Sequence, residues 1–223
     1  MQVRADRVSV QGPHGTLLPP TSLALGEGHL AILHGEPGIG ITAFGLALAG
    51  RIKPTTGTVT VDGVHDDAKL REKVAVVDAP GVSEPDGALT LRVVVGEELA
   101  LAQRPAGADA VKRWLTEHDV GGYAGTRFEN LAGALRTRLL TELAATRKGV
   151  RMLVLDTPDR HTSELETWSM LAHEHAERGL AVVVLTATTP IGALPQPPAR
   201  VGEHDQPEPR LCLEATTPSG ENA

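Results

Sequence analysis

A run of glycines between a short apolar segment and a helix-like segment is the feature that most limits what this chain can fold into. The segment 30–33 reads Leu-Ala-Ile-Leu, which predicts a buried strand, and a helical pattern follows over 41–49. Glycines at 35, 38 and 40 let the intervening backbone curl so that successive N–H groups point inward. Strand, glycine loop and helix in this order predict an α/β domain with an anion-binding loop.

The loop fits the phosphate-binding spacing (glycine, four residues, glycine, lysine, Ser or Thr) at every defined position but one. Ile41 stands where the lysine belongs, and Thr42 offers a hydroxyl for Mg²⁺. The missing charge-assisted hydrogen bond is worth about 1.5–3 kcal/mol. Arg51 lies about 13 Å further along the helix, too far to replace the lysine. A tight turn without a ligand is the alternative interpretation of this loop. The residues predicted to contact nucleotide are Gly35, Glu36, Pro37, Gly38, Ile39, Gly40, Ile41, Thr42 and Ala43.

Composition excludes several other classes of protein. With 223 residues, of which 41% are hydrophobic, the chain can bury the core of one sizeable α/β domain. Aromatic residues are only 2% and the net charge is −7, so we expect no nucleic-acid partner. The single cysteine, Cys212, rules out an internal disulfide and a cysteine-built metal site. Apolar runs are far shorter than a bilayer span, and the N-terminus has no apolar signal segment, so we expect a cytoplasmic protein.

Strand-type and helix-type segments alternate along the chain, which predicts a mainly parallel sheet with covered faces. The middle of the chain, from 89 to 143, has a mostly helical pattern. From Pro190 onward, proline and charged residues dominate. We therefore expect one domain over 1–194 with a helical subdomain inserted at about 88–145, and a Pro-rich C-terminal segment over 195–223.

The stretch after the loop carries a resemblance to a known family. Residues 48–63 read Leu-Ala-Gly-Arg-Ile-Lys-Pro-Thr-Thr-Gly-Thr-Val-Thr-Val-Asp-Gly. This run resembles the ATP-binding cassette (ABC) transporter ATPases, in which a helix ends in Leu-x-Gly, a Pro-Thr-x-Gly turn follows, and a strand ends in Asp-Gly. Later landmarks fall in the family's order: 89–91 with Glu97, then 131–138, then 153–156. The resemblance covers most of the chain, from about Val8 to about Thr188.

The resemblance implies a P-loop NTPase-like ABC ATPase fold. Its core is a mainly parallel sheet with an N-terminal antiparallel β-element and a helical subdomain. Thr42 and Asp156 match the family's magnesium-side positions, so they are the predicted metal ligands, with ATP and Mg²⁺ as weakly held cofactors. A carboxylate satisfied by backbone N–H groups is the alternative for Asp156. Asp159, after Pro158, is expected to cap a helix or turn.

The residues that hydrolysis needs are largely missing at the matching positions. Ile41 replaces the loop lysine, Thr157 the general-base glutamate and Ala187 the switch histidine. The signature serine, second glycine and glutamine are Ala132, Ala134 and Leu135. Because hydrolysis needs positioning, charge neutralisation and an oriented water together, we assign no catalytic residue and expect a degenerate, pseudo-ATPase member.

For function, the resemblance implies the nucleotide-binding subunit of a membrane transporter. Such a subunit would work with an integral-membrane permease, as a homo- or heterodimer of cassettes, peripheral to the inner face of the membrane. The alternative is a regulatory or scaffolding protein that keeps the ABC fold to bind other proteins. A small-molecule kinase is a poor third possibility, because it also needs the lysine and leaves 131–138 unexplained.

Overall fold

A six-stranded sheet lies at the centre of the computed structural model, which describes residues 1–38 and 40–213. Five strands run parallel in the order β5-β6-β7-β3-β8, and β9 pairs antiparallel with the first residues of β3, whereas β8 pairs with its last residues. Their bounds are β3 His29–His34, β5 Val74–Val77, β6 Met152–Asp156, β7 Ala181–Thr186, β8 Ala199–Arg200 and β9 Arg210–Leu211. The parallel strand–helix core confirms the predicted fold class.

Central strands of this sheet are apolar on both faces because both faces are covered. Alternate residues of one strand therefore enter different cores. In β3, Ala31 and Leu33 pack in one core, whereas Leu30 and Ile32 pack in the other. Every residue of β6 and β7 is buried. With few aromatic side chains available, this double burial of Val and Leu supplies most of the apolar contact.

An antiparallel sheet of three strands covers one face. It has the order β2-β1-β4, with bounds β1 Gln2–Gly12, β2 Gly15–Gly26 and β4 Thr56–Val61. This is the predicted N-terminal antiparallel element. Helix α1, Ile41–Leu48, packs between the two sheets, where Phe44 is fully buried. The sequence pattern did not predict β2, because Pro19 and Pro20 interrupt it; an edge strand tolerates them.

Helices cover the other face and fill the middle of the chain. Their bounds are α3 Leu91–Leu101, α4 Ala108–Glu117, α5 Gly133–Ala145 and α6 Leu165–Glu177. Helix α2, Asp67–Lys73, lies on the side of α1 instead, because its Leu70 packs in the same core as α1. Helices α3, α4 and α5 lie between β5 and β6 in the chain, inside the predicted helical subdomain, and Trp114 and Phe128 are buried among them. Within the described residues, each helix is too short or too polar to cross a bilayer.

The segment after 194 contributes to the fold as well as the residues before it. Both β8 and β9 pair with β3, and Val201 packs against the core that contains α1. The division at 194 and the subdomain bounds remain predictions, and 214–223 of the C-terminal segment lie outside the described residues.

A buried network of charges joins the helical part to the sheet. Asp78, directly after β5 and only 5% exposed, accepts hydrogen bonds from Arg136 Nε (3.2 Å) and Nη2 (2.8 Å) and from His161 Nε2 (2.9 Å). Arg160 Nη2 lies 3.3 Å from the same carboxylate, and Glu84 receives a second bond from Arg136 at 2.9 Å. The network therefore fixes α5 to the segments that follow β5 and β6.

Replacing Asp78 with Asn tests this network. Burial alone would raise the pKa of the Asp78 carboxyl, but hydrogen bonds from His161 and Arg136 and the charge of Arg160 lower it below its ordinary value of 3.8. The stability it contributes is therefore present above about pH 4 and is lost as the pH falls through the lowered pKa. We expect Asp78→Asn to cost about 3–5 kcal/mol at pH 7 in urea unfolding, and the gap to close in acid.

Asp62 offers a matched control for that experiment. Both aspartates have left-handed backbone, with φ of 51° at Asp62 and 58° at Asp78, a conformation that Asn adopts readily. Asp62 is exposed and pairs with Lys69 at 3.1 Å, so Asp62→Asn should change stability little. Equal losses for the two variants would contradict the importance of the buried network.

Candidate nucleotide-binding site

The glycine loop joins the carboxyl end of β3 to the start of α1. The N–H of Gly35 donates to Thr186 O at 3.1 Å and so extends the β3–β7 ladder. Gly40 has a φ of 64°, and a Cβ there would overlap the carbonyl oxygen of Leu17, so this position requires glycine. The N–H groups of Gly38, Ile41 and Thr42 have no protein acceptor in the described part of the chain. These N–H groups are available to an anion.

The side chain of Ile41 lies beneath the loop and is only 4% exposed. It belongs to the core that contains α1, and its Cδ1 would lie 3.5 Å from a Cβ built on Gly35. No cation therefore occupies the lysine position. His34, just before the loop, contacts Thr186 Oγ1 at 3.3 Å, and burial lowers the pKa of its imidazole. His34 is thus neutral at pH 7 and does not replace the lysine.

The side chains of Thr42 and Asp156, the two predicted metal ligands, are in direct contact. Thr42 Oγ1 donates to Asp156 Oδ1 at 3.0 Å, and Thr157 Oγ1 donates to the same oxygen at 3.0 Å. Asp156 is 1% exposed, and its Oδ2 is buried with no hydrogen-bond partner. Burial raises the pKa of this carboxyl. A buried carboxylate with one unpaired oxygen beside a threonine hydroxyl fits a divalent cation with oxygen ligands.

The positions of the general base and of the switch histidine hold groups committed to other contacts. Thr157 Oγ1 accepts a hydrogen bond from Arg160 Nη1 at 3.1 Å as well as donating to Asp156. Ala187 has only a methyl group, and its N–H donates to Asp159 Oδ2 at 3.0 Å. Thr157 and Ala187 therefore offer no carboxylate or imidazole to an attacking water.

Asp159 caps the loop that follows β7. Its Oδ2 accepts the N–H groups of Ala187, Thr188 and Thr189 at 3.0, 2.7 and 2.8 Å. The expected role as a cap therefore falls on a loop distant in the chain and not on the turn that contains Asp159. An internal carboxylate thus occupies the cluster of N–H groups at the end of β7.

The signature segment lies at the start of α5. Ala132 precedes the helix and makes no side-chain capping bond. A Cβ on Gly133 would overlap the carbonyl oxygen of His161, so the helix start packs closely against the segment after β6. Ala134 and Leu135 line a surface groove between α5 and α6.

The other predicted loop residues fall into three groups. Glu36 and Pro37 are exposed at the tip, and Ala43 is buried in the core. Ile39 lies outside the described residues. Sequence reasoning missed the ionic network of Asp78, Arg136, Arg160 and His161 beside this site. Its members come from three distant segments, so no local spacing signals it.

Comparisons with known proteins agree with this geometry. No protein-family model matches the chain. The ABC transporter ATP-binding/permease protein Rv1747 of Mycobacterium tuberculosis is 31% identical over 197 residues, which cover 83% of this chain and 22% of the relative. The taurine import ATP-binding protein TauB of Pseudomonas savastanoi pv. phaseolicola is 27% identical over 223 residues, covering 91% of this chain and 82% of the relative.

Solved structures share the fold. An ABC transporter ATP-binding protein from Pyrococcus furiosus superposes with a TM-score of 0.64 at 17% identity, covering 90% of this chain and 96% of its own. The chain is an ABC nucleotide-binding domain. A second such structure, an ATP-binding subunit of an ABC transporter, gives a TM-score of 0.60 at 15% identity, covering 84% and 80%. The cassette spans about a fifth of the length of the mycobacterial relative and most of the length of TauB.

Replacing Asp156 with Asn tests the metal site of the cassette. Without Mg²⁺, Asp156→Asn should unfold at an equal or higher urea concentration, because it removes a buried charge with an unpaired oxygen. Mg²⁺ at about 10 to 100 times its Kd should stabilise the wild type by about 1.4–2.7 kcal/mol and the variant not at all. Asp159→Asn is the control, and it should lower stability equally with and without Mg²⁺. If Mg²⁺ does not change the stability of the wild type, Thr42 and Asp156 are not metal ligands.

Proposed function

We propose that this cassette is the nucleotide-binding part of a membrane transporter and that it binds ATP and Mg²⁺ weakly and hydrolyses ATP slowly or not at all. The observation that carries the proposal is the contrast within one site. Backbone N–H groups of the loop and the Thr42–Asp156 pair remain available, whereas Ile41, Thr157 and Ala187 provide no charge, base or switch group.

Binding would rest on the backbone. The N–H groups of Gly38, Gly40, Ile41 and Thr42 would hold phosphate oxygens, helped by the positive end of α1. Thr42 and Asp156 would hold Mg²⁺, which when bound offsets phosphate charge. Arg160 does not replace the lysine, because its guanidinium already donates to the backbone oxygens of Asp156 and Asp78.

In a dimer of cassettes, the effect of the substituted residues on each nucleotide site would depend on the partner. In the family that this chain resembles, each nucleotide lies between one subunit's loop and the other's signature. A homodimer would therefore have two defective sites. With an intact partner cassette, one site would pair Ile41 and Thr157 with a complete signature, and the other would pair a complete loop with Ala132-Gly133-Ala134. Only the second could turn over, and slowly.

A membrane partner is supported by the relatives' names and by the surface of the helical part. One relative is named as an ATP-binding/permease protein and the other as an import ATP-binding protein. An apolar groove of about 870 Å³ opens between α3 and α4, lined by Val93, Ala100, Val111 and Leu115 among others. Because exposed apolar grooves commonly mark protein contacts, this surface suits a permease segment.

Titration of the purified chain with Mg²⁺-ATP tests the nucleotide site. Ile41→Lys should tighten binding by about tenfold to hundredfold, because it adds a charge-assisted hydrogen bond. Ile41→Met is the control, since it gives a long unbranched side chain without charge and should leave the affinity unchanged. If neither the wild type nor Ile41→Lys binds while both stay folded, the loop is closed to nucleotide and the scaffolding alternative is favoured.

Steady-state hydrolysis tests the pseudo-ATPase assignment. We expect the purified chain to show no turnover above the Asp156→Asn background, because it lacks the general base and the loop lysine. Sustained phosphate release that Asp156→Asn abolishes would refute the assignment.

Purification of the tagged chain from detergent-solubilised cells of its source tests the transporter role. We expect an integral-membrane protein to co-purify, and substitution of the exposed groove residues Val93 and Ala100 with Asp to release it. Recovery of only water-soluble partners, independent of ATP, would favour the scaffolding alternative.

A further inference from the structure

A cationic cleft lies at the amino ends of the parallel strands, whereas the phosphate loop lies at their carboxyl ends. It is formed where β5 and β6 begin, whereas the loop and Asp156 lie where β3 and β6 end. The five residues of β6 separate the two places by about 16 Å. The cleft has a volume of about 500 Å³, within the range of small-molecule sites.

Three segments bring four positive charges to this cleft. Arg51 follows α1, Arg71 lies in the last turn of α2, and Arg147 and Lys148 follow α5. The acidic side chain in the lining is Glu72, whose Oε1 is already 2.7 Å from Lys73 Nζ. The cleft is therefore strongly positive in a chain whose net charge is −7. Such a local excess attracts anions.

The cations of the cleft are poorly neutralised by the protein. Arg51 and Lys148 have no ion pair or side-chain hydrogen bond within the described ranges 1–38 and 40–213. Arg71 donates to the carbonyl oxygen of Gly50 at 2.8 Å and pairs with no carboxylate there. Arg147 pairs with Glu98 at 2.7 Å, but its Nε is buried without a partner.

Mutual repulsion within the cleft is visible in the guanidinium of Arg51. Partial desolvation, together with the charges of Arg147 and Arg71, lowers the pKa of Arg51 below its usual value. Like charges held this close cost stability unless an anion lies between them. The fold retains the cluster nevertheless, and a bound anion would offset its cost.

We propose that this cleft binds a small soluble anion carrying two or more phosphate groups. Guanidinium groups match phosphate oxygens with paired donors, and three of them with an ammonium outnumber the two carboxylates nearby, Glu72 and Glu98. Val74, Leu101 and Val150 line the same cleft and offer apolar contact to the organic part of the ligand. Nucleic acid suits the cleft poorly, since the acidic chain repels a long polyanion. The proposal does not depend on nucleotide binding at the phosphate loop.

Titration with inorganic pyrophosphate at low ionic strength tests the site. The full wild-type chain should bind it, and Arg51→Gln combined with Lys148→Gln should weaken binding at least about tenfold. Lys112→Gln combined with Arg113→Gln removes the same charge from the exposed face of α4 and should leave the affinity unchanged. Backbone amide signals of Gln103 and Gly149 should shift with ligand in the wild type.

Several outcomes would overturn the proposal. Pyrophosphate binding that the Arg51 and Lys148 changes leave intact would place the ligand at the phosphate loop instead. Equal weakening by the α4 control would indicate only non-specific attraction. Sedimentation with phosphatidic acid vesicles that requires Arg51 and Lys148, without pyrophosphate binding, would assign the cleft to a lipid headgroup.

Thermal unfolding guards against a folding artefact. Because Arg51 and Lys148 are exposed and repelled by their neighbours, their replacement should leave the melting temperature of the free chain equal or higher. Pyrophosphate should raise the melting temperature of the wild type and not of the double variant. A double variant that is both unstable and fully stabilised by pyrophosphate would contradict the proposed site.

Discussion

Pairing of β7 with both β3 and β6 is the constraint on which the candidate site depends. The register sets His34 opposite Thr186 and Asp156 opposite Leu185, so three strand ends reach one edge together. Thr42 and Asp156 are 114 positions apart in the chain, and this pairing brings Thr42 Oγ1 within 3.0 Å of Asp156 Oδ1. The same pairing buries both faces of the strands, so the aliphatic core that stabilises the domain also positions the site.

The backbone of the loop in this cassette matches the family pattern more closely than the side chains around it do. The loop's N–H groups need only the correct dihedral angles, which Gly38 and Gly40 still provide at φ of 83° and 64°. The resemblance implies a lysine, a glutamate and a histidine at positions where this chain has Ile41, Thr157 and Ala187. The surrounding fold does not require them, because Ile41 adds to the core and Ala187 still donates its N–H. Ile41 and Ala187 are therefore compatible with a well-packed domain.

Local patterns predicted the parts of the structure that depend on local physics. The apolar strands and the glycine loop follow from burial periodicity and from residue spacing, whereas the common magnesium-side role of Thr42 and Asp156 was implied only by the family resemblance. Strand β2 was missed because prolines obscure an edge strand, and the short helix α2 because it buries only Leu70. The Asp78–Arg136 pair spans 58 positions and the Asp78–His161 contact 83, so only the folded topology reveals them. The cationic cleft is likewise assembled from four separate segments.

The side chain of Asp159 also limits how the loop after β7 can respond to a bound nucleotide. Three backbone N–H groups of that loop already donate hydrogen bonds to this side chain. These three hydrogen bonds restrain the conformation of the loop. A histidine placed at 187 alone would add an imidazole, but the N–H groups of the loop would stay bonded to Asp159 and would still restrain it. In this cassette, a conformational change that follows nucleotide binding would have to begin in another element.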